Sequence, residues 1–233
     1  MSGPVVGASV AQPRHRMRTA VASSAAITGA VAIGVGSIVT ALAYRGSKGE
    51  GYSPINHWVS ELGDPGQSAL APLFNAGLIV GGLAFAVFML GLAASMPGRP
   101  RFAWGPIGIL AGLCGALVGV FPMDHLDVHR VVAAGFFNLG WIAVALASAD
   151  IELRDDDRFH RLLTHVGALT VGVFVAFLVI VRLDGHLGEA VSNADIRPDV
   201  WPSTILEWGV VIGIMAWSFL AGVSWRQSTR RVR

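Results

Sequence analysis

Residues 19–44 read TAVASSAAITGAVAIGVGSIVTALAY, an apolar run rich in small residues and free of charge. A helix needs ~20 such residues to cross a hydrocarbon core, while a cleaved signal peptide has an apolar core of only ~7–15. The run therefore reads as an uncleaved first membrane span. Ahead of it, residues 1–18 are small and polar and end in Arg14, His15, Arg16 and Arg18. They are expected to be a cytoplasmic N-terminus, disordered over its first dozen or so residues.

Beyond the first span, five more apolar runs follow. They cover Ser68 to Ser95, Phe102 to Phe121, Val131 to Ala149, Leu162 to Leu183 and Ser203 to Trp225. The expected organisation is a six-span transmembrane domain over 19–225 and a basic cytoplasmic tail over 226–233. The fold class is all-α, an integral membrane bundle. Composition agrees: 14% of the 233 residues are charged and 53% are hydrophobic, with mean hydropathy +0.60. A soluble domain carries ~25% charge.

Twelve of the 17 Lys and Arg fall on the N-terminal side of the membrane, against Arg45, Lys48, Arg130, Arg182 and Arg197 on the other. The positive-inside rule then places both termini in the cytoplasm, in a plasma membrane. Because the basic residues sit at span ends, the pI near 9.2 does not argue for nucleic acid. A single Lys among many Arg suggests a high-GC bacterial genome. The lone Cys114 excludes an internal disulfide and a thiolate metal cluster. Gly105, Gly108, Gly112, Gly115 and Gly119 form a smooth stripe for close helix approach.

The connector after the first span holds the densest polar stretch, YSPINHWVSELG, Tyr52 to Gly63. Ser53-Pro54 is a helix-start signal and Gly63 a stop. Ile55, Val59 and Leu62 recur at spacings of four and three. The stretch predicts a short amphipathic helix at the membrane surface, with Asn56, His57, Ser60 and Glu61 on its polar side. The plain alternative is a capped connector without chemistry.

Other polar groups gather on the same side. Asn75 and Asn138, in FNAG and FNLG, fall at matching depths and suggest an interhelical hydrogen bond or the walls of one cavity; structural glue is the simpler alternative. In FPMDHLDVHR, Phe121 to Arg130, His125 and His129 are four apart and would share a helix face, a common half of a zinc site. His57 or His186 would supply a third nitrogen, and Asp124 or Asp127 would orient an imidazole or hold a water. Without a metal, Asp124 caps the fourth helix. Glu207 follows Thr204 at capping-box spacing. Ser60 lacks the GxSxG turn of a serine nucleophile.

The span pattern, with YSPINHWVSELG, then FNAG, then FPMD…H, resembles the bacterial domain-of-unknown-function 998 family of six-span membrane proteins, over roughly Thr19 to Trp225. That resemblance implies architecture and no particular reaction. A fainter likeness is to multi-span metal hydrolases such as alkaline ceramidases and adiponectin-type receptors, which use a Ser, an Asp and three His. Ser60, Asp124, His125 and His129 are the matching types here. The chain departs from them in having six spans and in placing its His pair between the third and fourth.

Two readings stand. The first is an outward-facing polar pocket lined by Asn56, His57, Ser60, Glu61, Asn75, Asp124, His129, Asn138 and Glu207, receiving a lipid head group or small polar ligand. The alternative is a zinc-dependent lipid amide or ester hydrolase. There His57, His125 and His129 bind the metal, Asp124 is the acid/base and Ser60 holds the water. A secondary transporter is disfavoured, because no span carries a deep acid or a matched mid-membrane break. Membrane lipids are the expected partners, and oligomeric state is left open.

Overall fold

The computed structural model describes residues 11–183 and 197–231. These form α1 (Ala11–Ala43), α2 (Ala71–Ser95), α3 (Arg101–Val120), α4 (Leu126–Leu153), α5 (Leu162–Leu183) and α6 (Pro202–Arg231), with no strand among the described residues. Among the described residues six helices are long and apolar enough to cross a membrane, and the chain is a multi-pass membrane protein.

Proline punctuates the starts. Pro72 sits in the first turn of α2, Pro100 precedes α3 and Pro202 opens α6, places where a missing N–H costs nothing. After α2 the chain reverses through Gly98, whose φ of +84° is the left-handed region that a Cβ disfavours.

Three helices run well past their expected bounds. α1 begins at Ala11, well before Thr19, so residues 11–18 are helical; residues 1–10 lie outside the described part. α4 begins at Leu126 and runs to Leu153, beyond the expected 131–149. Charge does not end it at Asp150, because Arg154 Nε reaches back one turn to Asp150 Oδ1 at 2.7 Å and Trp104 Nε1 donates to Oδ2 at 3.2 Å. α6 continues through the basic tail to Arg231, where cations suit the negative end of a helix.

Each helix packs on its neighbours in the chain, and α6 returns to α1, so the six close into a ring. Small residues allow the closest seams. A Cβ on Gly77 of α2 would lie 2.8 Å from the Ala32 carbonyl oxygen of α1. One on Gly112 of α3 would lie 2.7 Å from the Ala86 nitrogen and the Gly82 oxygen of α2. The Gly stripe of α3 therefore works as expected, largely against α2. Exposed apolar side chains such as Val31, Val35, Leu83 and Leu90 cover the outside.

Inside, aromatic rings fill the ring wall: Phe88 meets Trp217 at 5.8 Å, and Phe137 meets Phe177 at 4.4 Å. At the Arg-rich end, Arg158 pairs with Asp156 at 2.6 Å and lies over the Phe159 and Trp225 rings. Burial would raise the Asp156 carboxyl, but Arg158 outweighs it and holds the group below the usual range.

Candidate functional site

The opposite end of the ring is covered by the first connector. The sequence predicts an amphipathic helix there, with its polar residues turned out. The structure has turns from Pro54 and then a short 3-10 helix, Val59–Gly63, in which Val59 and Leu62 are buried as expected but polar residues are buried with them. Ile55 is 46% exposed, while His57 is 3% and Glu61 0% exposed. The burial of Glu61 has a physical cause: both its carboxylate oxygens are satisfied inside.

Glu61 is gripped by Arg197, which precedes α6. Arg197 Nη1 donates to Oε1 at 3.0 Å and Nη2 to Oε2 at 2.9 Å, a bidentate fork. The Trp58 N–H also donates to Oε1 at 2.8 Å, and the Tyr44 hydroxyl to Oε2 at 3.1 Å. Arg197 further donates to the Asn56 carbonyl at 3.0 Å, and the Trp201 N–H donates to the Ile55 carbonyl at 2.8 Å. The connector is thus strapped down by the chain entering α6. From α6 itself, Glu207 Oε2 accepts the Val59 N–H at 2.7 Å. Glu207 is therefore not a helix cap; Thr204 bonds the Trp201 carbonyl instead.

Beside this latch, Tyr44, Tyr52 and His57 pack with ring centroids 5.3–5.4 Å apart. Trp208 Nε1 donates to the Tyr52 hydroxyl at 2.7 Å. Burial, with Glu61 beside it, pushes the Tyr44 phenol well above its ordinary value; burial and Glu207 do the same to Tyr52. Burial holds the His57 imidazole below its usual value, more strongly than Glu61 raises it. His57 Nδ1 lies 2.7 Å from Asn56 Oδ1, and Nε2 lies 3.9 Å from Glu50 Oε1.

Beneath the connector, inside the ring, runs a cavity. Its volume is about 90 Å³. Its walls are apolar: Ala30, Ile33, Phe74, Phe85, Phe136 and Ile214 are typical. Along α6 the lining extends from Glu207 to Ser218, ~16 Å at the rise of an α-helix. The cavity is long and narrow. Ser60, His129 and Glu207 are its polar lining near the connector, and Ser218 lies deeper. His129 Nδ1 is 2.9 Å from the Phe121 carbonyl. A carbonyl only accepts, so Nδ1 carries a proton, and the ring, when neutral, has its lone pair on Nε2.

The expected site residues thus divide. Ser60, His129 and Glu207 share the cavity. Asn56, His57 and Glu61 belong to the latch above it. Asn75 does not meet Asn138: its Nδ2 donates to the Gly63 carbonyl at 3.0 Å, tying α2 to the 3-10 helix. Asn138 is exposed and bonds the Ala134 carbonyl of its own helix at 2.8 Å. Asp124 and His125 are exposed and pair with each other at 2.9 Å. Among the described residues, no three His, Cys, Asp or Glu side chains are grouped as metal ligands. His57, His125 and His129 are each engaged by different partners, and His186 lies outside the described residues. The likeness to membrane metal hydrolases is not borne out.

Arg197 and Tyr44 had no motif to mark them. The available signal was that an acid beside an apolar surface needs a cation, and Arg197 was one of few on that side.

Compared with known proteins, residues 30–224 match the profile of a protein family of unknown function, DUF998. No curated protein and no solved structure gives a match.

Proposed function

Since the chain belongs to the DUF998 family, whose membership assigns no reaction, we propose from the geometry that it binds a membrane amphiphile inside the helix ring. The tail lies along Ala30, Ile33, Phe85, Phe136 and Ile214. The polar end sits beneath the latch, at Ser60, His129 and Glu207. The observation that supports this reading is a narrow cavity, ~16 Å long at 1.5 Å per residue, mostly apolar along its length, with Ser60, His129 and Glu207 gathered near the connector and only Ser218 at the deep end. A linear chain with a head group has that shape and polarity. The placement of Arg supports both termini in the cytoplasm and the latch at the outer face of a plasma membrane. Among the described residues no hydrogen bond joins Ser60 to a base, so the reading stops at binding.

The test is the lipid retained after extensive detergent exchange, counted by native mass spectrometry. The wild-type protein is expected to keep about one molecule per chain. Ala30→Phe, which places a ring in the cavity, should retain a tenth or less at an unchanged melting temperature. A wild-type protein free of retained lipid, or a filled variant retaining as much, would refute the reading.

A further inference from the structure

We propose that the Arg-rich end of the α1–α6 seam binds an anionic phospholipid, its phosphate held by Arg16, Arg226 and Arg230. This site is separate from the cavity and does not depend on its occupant.

A second pocket of about 280 Å³ lies there, lined by Arg16 and Ala20 of α1 and by Arg226, Thr229 and Arg230 of α6. Arg226 and Arg230 are one turn apart and share a face. Arg16 joins them from the neighbouring helix. Among the described residues, no carboxylate pairs with any of the three. Three guanidinium groups sharing one pocket repel one another, and an anion placed among them removes that cost. Arg presents a planar fork that matches the oxygens of a phosphate.

Helix polarity and topology would account for Arg226 and Arg230 at the end of α6. They do not account for a shared pocket with Arg16. The lipid, rather than a free anion, follows from what borders the pocket. Met17 and Val21, beside Arg16 and Ala20 on α1, are 64% and 55% exposed. Phe219, two turns from Arg226 on α6, is 41% exposed. These flank the cations with apolar surface for acyl chains. Basic pockets between spans suit anionic head groups in this way.

The test measures binding of phosphatidylglycerol and phosphatidylcholine to the full chain by native mass spectrometry. Arg16→Gln, Arg226→Gln, Arg230→Gln and the triple variant are compared with the wild type. The preference for phosphatidylglycerol should fall about fivefold per Arg removed and about a hundredfold in the triple variant. Inorganic phosphate should compete only weakly. Melting temperatures in phosphatidylcholine alone control for folding; if the triple variant fails to fold, the single variants decide. Equal binding of the two lipids by the wild type, or an undiminished preference in the variants, would overturn the proposal. So would inorganic phosphate binding as tightly as the lipid.

Discussion

Removing the Arg197 side chain with Arg197→Ala strips a fully buried carboxylate of the cation that pairs with it. Glu61 would keep the Trp58 N–H and the Tyr44 hydroxyl, but these are neutral donors. Breaking one partner out of a buried pair costs ~3–5 kcal/mol, because the remaining charge is uncompensated. At 1.4 kcal/mol per tenfold, that raises the opening constant of the connector by roughly two to four orders of magnitude. Replacing both partners should cost much less. In Glu61→Leu with Arg197→Met, no charge is stranded and the Tyr44 hydroxyl keeps Gln67 Oε1 at 3.0 Å. The Trp58 N–H loses its acceptor, worth ~1–3 kcal/mol. The single and double variants therefore should not add, and a coupling of at least ~2 kcal/mol is expected. The assay is thiol labelling of Ser60→Cys in a Cys114→Ala background, where the labelling rate reports opening. A cost below ~1 kcal/mol for Arg197→Ala, typical of exposed pairs, or simple additivity, would refute the idea that the latch is a buried, charge-coupled unit.

Other outcomes follow from single contacts. The folded connector holds His57 below its ordinary value, so it binds a proton less readily than the open connector does. Closure is fully favoured above ~6.5, the unperturbed value, and weakens as pH falls below it; labelling of Ser60→Cys should speed up from pH 7.5 to 5, and His57→Gln should flatten that slope. A Cβ on Gly82 would collide with the Ala116 nitrogen and the Gly112 oxygen, both backbone. Gly82→Ala must therefore spread α2 from α3, costing ~1–3 kcal/mol or more in detergent unfolding; an unchanged midpoint would contradict that seam. Ser148→Ala orphans the indole N–H of fully buried Trp217, which donates to Ser148 Oγ at 3.0 Å. It should cost ~1–3 kcal/mol, read by the same unfolding.

The spans were legible because their signal is bulk apolarity over a length, which needs no partner to be interpreted. Leu162–Leu183 was read to the residue. The polar connector was not, because periodicity assigns a face without knowing what lies opposite it. Of the apolar side Ile55, Val59 and Leu62, the last two are buried as the spacing predicts, yet Ile55 is out and Glu61 is in. The deciding partners are remote: Arg197 is 136 residues from Glu61, and Glu207 is 148 from Val59. Matching depth likewise misled for Asn75 and Asn138, since depth says nothing of rotation about the helix axis. Ser60, His129 and Glu207 were each marked as candidates, but only the ring shows that they face one space.

Closure of that ring by α6 against α1 also orders events in biosynthesis. Until the last helix emerges, α1 presents Ser23 and Ala26, which later lie against Gly222, to lipid or to a chaperone. The wall formed by Val211, Ile214 and Ser218 does not yet exist, and Val59 has no carboxylate to hold it. A nascent chain stalled before residue 202 would be an open crescent rather than a closed ring, and both the interior space and its cover would form in one late step.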